Sequence, residues 1–351
     1  MKTLVNMLLS LLLVQAVSSC CIHQWPEKEL ETPEGTLVLH LNFNPDFYVW
    51  HHTFDADAET VYQTYPDEAV HPEHPGTTEV YNNTQYSGVI RHVVRIFPAG
   101  EQIAFVKEII VENLTEGNYD CDIPVILKPG MYDIVVWSDL RERPDDPYFH
   151  DYSDFFSINI TDSYRAGTEF RDAFRGVQSV NVGSAENCEA TVDMHRPMAK
   201  YEFVATGLQS FIEHEMSRLQ DSRADLSTYK VVFTYTNFMP WSYNAVDDRL
   251  VDSRTGVQFE SQMKQISNDE VSLGFDYVMI NALSVARASQ AVSVMVTIFD
   301  STGEQVANSV PITVPLRRDD HTIIRSPFLS VNGEGGVAID PDYDGDHNIF
   351  I

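Results

Sequence analysis

A regular alternation of apolar and polar residues is the feature that most constrains the fold of this chain. Leu37, Leu39, Leu41 and Phe43 alternate with neighbours that are mostly polar, which is the pattern of a strand buried on one face. Short segments rich in β-branched and aromatic residues recur along the chain and are separated by turn residues. Because this period of two does not suit helices, we predict an all-β fold of antiparallel sandwiches.

One segment departs from this period. Leu208, Phe211, Ile212 and Leu219 recur at helical spacing, and they predict a single helix packed in the second half of the chain. The predicted strands in the first half are 37–43, 89–97, 102–111, 122–127, 131–137, 155–160 and 176–182. Those in the second half are 198–206, 230–236, 256–263, 271–281, 291–299, 304–314, 321–329, 337–339 and 348–351.

The N-terminus has the features of an exported, lipid-modified protein. Lys2 precedes an apolar run at residues 4–17, which is too short for a bilayer that needs about 20 apolar residues. The sequence Val17-Ser18-Ser19-Cys20 then looks like a bacterial lipobox, in which the cysteine thiol accepts a lipid and becomes the first mature residue. Cys21 is the less favoured alternative, because Ser18 would then occupy the apolar position of the motif.

The remaining length predicts more than one domain. Once residues 1–19 are removed as a signal peptide, about 330 residues remain, which is more than a single core usually organises. Residues 20–35 contain prolines and glutamates without apolar periodicity, and we interpret them as a tether. We predict an N-terminal domain at 36–189, with a long insertion at 45–88, and a C-terminal domain at 190–351.

The composition excludes some functions. The formal net charge of −29 opposes binding to nucleic acids, whose phosphates would be repelled. With Cys20 lipidated, three cysteines allow at most one disulfide within the chain, and Cys121 with Cys188 is the pair to test first. No nucleophile elbow, P-loop, dinucleotide fingerprint or paired-cysteine metal motif occurs, so we predict neither an enzyme nor a cofactor.

Three groups of residues resemble metal sites, and each departs from a known pattern. His51, His52, His71 and His74, with Glu73, lie in the insertion, but their spacing matches no standard ligand set. His214 and Glu215 lack a second histidine at position 218, so we interpret their helix as structural.

The third group is at the C-terminus. Asp340, Asp342 and Asp344 precede Gly345 as in the first half of a calcium loop. The glutamate that normally ends such a loop is missing, because Ile351 occupies that position. We therefore favour an acidic turn and keep the three aspartates as weak metal candidates.

Several sequence blocks together resemble a known family. They are 130–139 (GMYDIVVWSD), 164–174 (YRAGTEFRDAF), 196–203 (RPMAKYEF), 273–278 (LGFDYV), 314–318 (VPLRR), 335–337 (GGV) and 342–345 (DYDG). In this order, behind a lipobox, they resemble a family of uncharacterised Bacteroides-type surface lipoproteins related to fimbrillin-like and fimbrial-anchor proteins. The resemblance implies two β-sandwich domains in series, an outer-membrane location facing the cell exterior, and fimbrial subunits as partners.

The resemblance also implies a mechanism, in which an extended segment of one subunit completes a sheet of another. Stalk-type relatives look as if they are cleaved after an arginine near the N-terminus, which frees a groove. Here the first arginine after the signal is Arg91, inside the second predicted strand. We therefore expect a protein that keeps its lipid anchor and acts as an anchor or accessory subunit.

The alternative hypothesis is a glycan-binding lipoprotein of a polysaccharide-uptake system. Trp50, Tyr62, Tyr65 and Tyr81 in the insertion could form a platform for sugars, although an aromatic cluster that folds onto itself is the simpler interpretation.

Overall fold

The fold is known from a computed structural model, which describes most of the chain. The described residues are 34–44, 47–53, 80–81, 86–101, 103–115, 118–184, 187–219, 225–281 and 290–329, and at 47–53 and 80–81 only the backbone is described. Cys20, residues 20–33 of the predicted tether and the C-terminal aspartates lie outside these residues, as do the predicted strands at 337–339 and 348–351. The predicted end of the tether is wrong by one residue, because Gly35 already belongs to the first strand.

The described part of the first half consists of strands and short turns. Its strands are β1 (Gly35–Phe43), β2 (Phe47–Thr53), β3 (Val80–Tyr81), β4 (Gly88–Pro98), β5 (Lys107–Thr115), β6 (Cys121–Leu127), β7 (Gly130–Arg141), β8 (His150–Asp151), β9 (Ile158–Ile160), β10 (Ala173–Val182) and β11 (Asn187–Met194). A short 3-10 turn at Glu169–Arg171 precedes β10.

The second half adds one α-helix, α1 (Leu208–Leu219), to further strands. These are β12 (Met198–Thr206), β13 (Lys230–Tyr235), β14 (Met239–Asn244), β15 (Arg249–Arg254), β16 (Gln258–Gln262), β17 (Lys264–Gln265), β18 (Glu270–Met279), β19 (Gln290–Phe299), β20 (Gln305–Asn308), β21 (Ile312–Leu316) and β22 (Asp320–Ser326). The predicted all-β class with one helix in the second half is confirmed.

Five sheets contain these strands. Sheet A has the order β11-β1-β6, sheet B β10-β7-β4-β5, and sheet C β17-β18-β12-β22-β2-β3. Sheet D has the order β16-β13-β19-β20, with β21 also paired to β19, and sheet E has the order β15-β14-β9-β8.

Sheets A and B face each other across a first core. Leu37, Leu39 and Leu41 of β1 fill it from sheet A, and Ile90 and Val94 of β4 fill it from sheet B. The short turn between β6 and β7 carries the chain from sheet A to sheet B. The turn therefore joins two layers of a sandwich and does not close a hairpin.

The two layers approach each other closely beside Gly176 of β10. A side chain placed there would bring its Cβ within 2.5 Å of Val192 Cγ1 and 2.6 Å of Met194 Sδ on β11. Glycine is required because no other residue fits this approach.

A second core lies between sheets C and D and extends to the other face of sheet B. Phe203 of β12 and Phe233 of β13 meet across it, with ring centroids 5.6 Å apart. Val93 of β4 and Trp137 of β7 enter the same core from sheet B. Sheet B is therefore buried on both faces along β4 and β7, which explains why these strands have nearly continuous apolar sequences.

Strand β2 was not predicted, because it lies inside the proposed insertion at 45–88. It joins sheet C and runs parallel to β22. The proposed boundary between domains at 189 and 190 stays a prediction, although Phe155, Ile158 and Ala173 from the first half belong to the second core.

Candidate interaction edge

Strand β5 forms one edge of sheet B. Among the described residues it pairs only with β4, from Gly88 opposite Thr115 to Ile96 opposite Lys107. The other side of such a strand carries backbone N–H and C=O groups that can bind a further strand. This edge is therefore a candidate for contact with an extended segment.

Exposed apolar side chains are concentrated at this edge. Ile103 is 94% exposed, Leu114 77%, Val106 58%, Ile110 46% and Phe105 43%. We call these five residues the β5 patch. Exposed apolar groups along one edge strand and the loop before it are a candidate interaction surface, and here they occur in a protein that is otherwise strongly acidic.

The reason for the exposure is the extent of the second core. Ile110 lies opposite Val93 of β4, which is completely buried in that core. The second core therefore buries the face of sheet B that carries Val93, but it does not extend from β4 to β5. We call this the outer face of sheet B. Ile109 and Val111 point the other way and pack against the first core, which fixes the register of the strand.

Ion pairs hold the outer face of β5 in place. Arg95 donates to Glu108 Oε2 at 2.7 Å, and its guanidinium lies 4.8 Å from the ring centroid of Phe105. Arg141 and Tyr148 both donate to Glu112, at 2.9 and 3.0 Å. Both glutamates of this face thus accept hydrogen bonds from neighbouring side chains, whereas Ile110 and Leu114 are exposed to solvent.

Several exposed acidic side chains lie near the β5 patch, with Arg143 exposed in the same turn as two of them. Glu101 precedes the patch, and Glu142 and Asp145 lie exposed in the turn after Arg141. An apolar centre with a charged rim is the usual anatomy of a protein interface. A partner segment with alternating apolar residues and flanking lysine or arginine would match both the shape and the charge.

Strand β1 occupies the centre of sheet A. It runs parallel to β11 on one side and antiparallel to β6 on the other. Phe43, its last residue, lies against Phe174, His92 and Tyr119, with ring centroids 5.2, 5.7 and 5.9 Å away. Because β1 itself lies between β11 and β6, sheet A has no gap at its centre into which a strand of another subunit could insert.

Buried ion pairs join the segment before β10 to the second sandwich. The guanidinium of Arg171 donates to Asp276, whose other oxygen accepts from Tyr164 and Tyr235 at 2.7 Å each. Asp172 accepts two hydrogen bonds from Arg196, at 2.7 and 2.8 Å. Burial raises the pKa of Asp172, and the charge of Arg196 opposes that shift.

Helix α1 has the structural role predicted for it. Glu215 is almost completely buried and accepts from Arg218 and from the hydroxyl of Tyr229, both at 2.7 Å. Arg218 continues to Asp300 Oδ2 at 2.7 Å, so the pairs connect the helix to sheet D. His214 takes part only through a long contact with Glu215.

Other predicted site residues lie partly or wholly outside the described residues. Trp50, His51 and His52 are on β2 and Tyr81 is on β3, where only the backbone is described. The residues outside are Cys20, Cys21, Tyr62, Tyr65, His71, Glu73, His74, Asp340, Asp342 and Asp344. Within the described part of the chain, no group of three or more His, Cys, Asp or Glu side chains is placed to hold a metal ion.

The suggested pairing of Cys121 with Cys188 is wrong. Both are free thiols. They lie on opposite sides of β1, with Cys188 beside Leu37 and Cys121 beside Leu41. Two strand spacings and four residues along the strand separate them by roughly 16 Å, far more than a disulfide can span.

The sequence did not reveal the β5 patch. Residues 102–111 were predicted as a strand, whereas β5 begins at Lys107 and residues 103–106 form an exposed loop. A signal was available in the alternation of Glu108, Ile110, Glu112 and Leu114, which mixes charged and apolar residues on one face. It could not be interpreted without knowing where the second core ends.

The family follows from a comparison of the whole sequence. A family model described as a family of unknown function, DUF6562, matches residues 49–350. The chain belongs to this family. The predicted membership of an uncharacterised family is confirmed, and no curated protein matches the sequence.

Several solved structures are distantly similar to this DUF6562 protein. A candidate adhesin of Bacteroides thetaiotaomicron shares 13% identity over 80% of both chains, with a TM-score of 0.39. A candidate polysaccharide-binding protein of the same organism shares 14% identity over 78% of this chain and 79% of its own, with a TM-score of 0.39.

The fimbrial anchor protein Mfa2 of Porphyromonas gingivalis shares 9% identity over 78% of this chain and 81% of its own, with a TM-score of 0.37. Two of these three structures are thus described as an adhesin and a fimbrial anchor protein, and the third as a polysaccharide-binding protein. Similarity at this level carries no argument about function. Within the described residues, no helix has both the length and the apolar character that crossing a membrane requires.

Proposed function

We propose that this protein is a lipid-anchored surface protein of the outer membrane and an anchor or accessory subunit of a fimbria-type fibre. It receives an extended strand of a neighbouring subunit at the edge of β5 that pairs with no described strand. The observation that carries this proposal is the β5 patch, where open backbone groups and exposed apolar side chains occur together.

Strand addition fits this surface better than side-chain docking alone. An added strand gains affinity from main-chain hydrogen bonds and specificity from its alternate side chains. Here Ile110 and Leu114 would meet apolar residues of the incoming strand, while the acidic rim would meet basic residues beside it. The net charge of −29 opposes a second copy of this chain as the occupant, because the two copies would repel each other.

The position of β1 supports an anchor that is retained. Only the residues up to 34 separate the proposed lipid site at Cys20 from the start of β1. Arg91, the first arginine after the signal, is buried within β4 and pairs with Asp139. Cleavage after arginine upstream of β1 therefore has no substrate in this sequence, and the lipid and β1 stay on the same chain.

The test replaces two outward-facing residues of the edge. The double variant Ile110→Lys, Leu114→Lys places two charges on the patch without changing a buried residue. The control is Val177→Lys on β10, the opposite edge of the same sheet, where the side chain is 42% exposed. Expressed in the native bacterium, the double variant is expected to reach the membrane normally but to release fibres into the medium, whereas the control retains them.

Equal fibre retention by the double variant and the control would contradict the proposal. Purification of the protein from membranes then decides between the functional classes. A co-purifying fimbrial subunit that is lost in the double variant supports the proposal, while a polysaccharide transporter bound equally by both variants supports the glycan-uptake alternative. Protease treatment of intact cells tests the surface location, since a protein facing the cell exterior is degraded without lysis.

A further inference from the structure

Strand β6 is the edge of sheet A that lies beside β5. Among the described residues it pairs only with β1. Two side chains of β5 reach it across the side of the sandwich. Lys107 Nζ donates to the carbonyl of Ile126 at 2.8 Å, and Asn113 Nδ2 donates to Cys121 Sγ at 3.3 Å. The first sandwich therefore presents two neighbouring strand edges on the same side, one in each sheet.

The contact with Lys107 shows which backbone groups of β6 face away from β1. In a β-strand the N–H and C=O of one residue point to the same side, and successive residues alternate between the two sides. Because the carbonyl of Ile126 accepts from a side chain of β5, the backbone groups of Ile126 point away from β1. The same holds for Pro124 and Asp122, which occupy alternate positions before it. An additional strand at this edge would have to bond the backbone groups of these three residues.

Two of those backbone positions are closed to an additional strand. Proline has no N–H, so the edge lacks a donor at Pro124, in the middle of β6. The carbonyl of Ile126 already accepts from the ammonium group of Lys107. Proline and lysine are residues by which natural proteins protect strand edges from pairing. A strand that paired with β6 would leave one of its own carbonyls unbonded at Pro124 and would have to displace Lys107.

Strand β5 lacks both of these features. It contains no proline, and Lys107, its first residue, is the one lysine in it. That side chain is turned towards β6, so it does not protect the edge of its own strand. The exposed side chains of Ile110 and Leu114 follow along β5. One lysine thus closes the edge of sheet A and leaves the edge of sheet B accessible.

The opposite side of the first sandwich is closed by the chain itself. Arg175 of β10 and His195, directly after β11, exchange two backbone hydrogen bonds of 2.8 Å each. Beside them, Gly176 allows the close approach of β10 and β11. Among the described strands of this sandwich, β5 therefore offers the most accessible edge.

We propose that Pro124 and Lys107 close the β6 edge to strand addition and thereby direct an incoming strand to β5. This inference rests on the proposed function, and it names the residues that select one sheet over the other. The neighbouring subunit then attaches through sheet B, while sheet A contains β1, the strand that follows the proposed lipid site.

The test opens the β6 edge in a protein whose β5 edge is blocked. Every protein in the test is purified without lipid, begins at Cys20 and carries Ile110→Lys and Leu114→Lys, which we call the blocked protein. The probe for an open edge is a second copy of the same protein. Measurements are made in about 0.5 M sodium chloride, where the Debye length is roughly 4 Å and the repulsion between acidic copies is largely screened.

The opened variant is the blocked protein with Lys107→Thr and Pro124→Thr. Threonine suits a strand and supplies the missing N–H. The matched control is the blocked protein with Lys128→Thr and Pro129→Thr, which changes the same residue types directly after the end of β6.

Sedimentation velocity is expected to show monomers for the blocked protein and for the control at every concentration. The opened variant shifts from monomer to dimer as its concentration rises, because two β6 edges can then pair. Hydrogen exchange locates the contact. The amide N–H groups of Asp122 and Ile126, which face away from β1, exchange more slowly in the dimer than in the monomer.

An opened variant that is folded and stays monomeric would overturn the proposal, and so would dimers of the blocked protein that protect the same two amides. Circular dichroism and urea unfolding establish whether the opened variant is folded. If it is not, Lys107→Thr and Pro124→Thr are tested separately in the blocked protein, and each is expected to dimerise where the control does not. Monomers in both cases would equally overturn the proposal.

The blocked β5 edge separates this test from that of the proposed function. Because β5 cannot take part, the result does not depend on which segment binds there or on whether Cys20 is acylated. Failure of the closed β6 edge and failure of the proposed function can therefore be recognised separately.

Discussion

At the scale of single residues, the junction between the two sandwiches depends on charges that are buried in pairs. Arg171 and Asp276 are almost completely inaccessible to solvent. Removing a charge from water costs several kcal/mol, which an opposite charge and additional hydrogen bonds must offset. Tyr164 and Tyr235 supply those hydrogen bonds to Asp276. Removing the charges of both Arg171 and Asp276 should therefore destabilise the protein less than removing only one of them.

Asp276→Asn should therefore destabilise the protein by about 3–5 kcal/mol, because it leaves the buried charge of Arg171 without its partner. The double variant Arg171→Met, Asp276→Asn keeps an acceptor for both tyrosines and removes the unpaired charge. We expect it to be more stable than the single variant in urea unfolding. If the double variant is the less stable of the two, the unpaired charge of Arg171 is not the cause of the destabilisation in Asp276→Asn.

His92 gives a second prediction, about pH. Burial lowers the pKa of its imidazole to about 4, and the nearby carboxylate of Asp139 only partly opposes this. The unfolded chain then binds a proton that the folded chain does not, at any pH between the two pKa values. Stability is thus unaffected above pH of about 6.5 and decreases as pH falls towards 4.

At pH 5 the contribution of His92 to this loss amounts to about 2 kcal/mol relative to pH 8. His92→Asn keeps an amide that can bond the hydroxyl of Ser138, which lies 2.9 Å from His92 Nδ1. In urea unfolding at both pH values, the variant should lose about 2 kcal/mol less on acidification than the unmodified protein. An unchanged difference would mean that other groups, such as the buried His150, cause the acid sensitivity.

At the scale of single elements, β1 contributes most to the first core. Leu39 is completely buried, and its register partners are Ile123 of β6 and Ala190 of β11. Leu39→Ala should reduce the free energy of unfolding by about 2–5 kcal/mol, because it leaves a cavity between two sheets that cannot close around it. Val38→Ala, at the neighbouring outward-facing position, should have a much smaller effect. Similar losses for both would show that the two faces of β1 are not distinguished by packing.

The strands that were predicted correctly have at least one face that packs against a core. β1 was predicted from strict alternation, and β4 and β7 were predicted from segments rich in β-branched and aromatic residues. Besides β2, the strands β3, β8, β11, β14, β15 and β17 were missed. β15 is largely exposed, so its sequence carries no apolar signal. β14 is buried along its whole length, but it contains Pro240 and its residues do not alternate between apolar and polar.

The segment predicted as one strand at 304–314 also differs from the structure. It forms two strands, β20 and β21, both paired with β19. Pro311 lies between them and has no N–H to donate to the ladder, so the strand cannot continue through it. The turn before β20 is closed by the backbone N–H of Gly303, which donates to the carbonyl of Asp300 at 3.0 Å.

At the scale of the whole molecule, the two sandwiches share sheet B and are joined by the buried ion pairs. This connection suits a protein that we propose to be held at one end by a lipid and loaded at the other. The proposed attachment depends on a single residue, which makes it the simplest part of the proposal to test.

Cys20→Ala should abolish labelling by a fatty-acid analogue and move the protein from the membrane fraction to the soluble fraction. The physical reason is that one acyl chain binds membranes only weakly, while the several chains of a lipoprotein hold it stably. Cys21→Ala is the matched control and should leave both labelling and location unchanged. Labelling lost in the Cys21 variant and kept in the Cys20 variant would place the lipid on the neighbouring residue.

The sequence by itself determined the all-β class, the single helix and most of the buried strands, because these depend on the local spacing of apolar residues. It also determined the candidate lipid site, which depends on four consecutive residues. Only the tertiary structure decided that β2 leaves the first sandwich, that Cys121 and Cys188 lie on opposite sides of β1, and that Ile110 and Leu114 remain exposed. Each of these depends on which strands become neighbours and where a core ends, and the spacing of residues along one chain does not encode either.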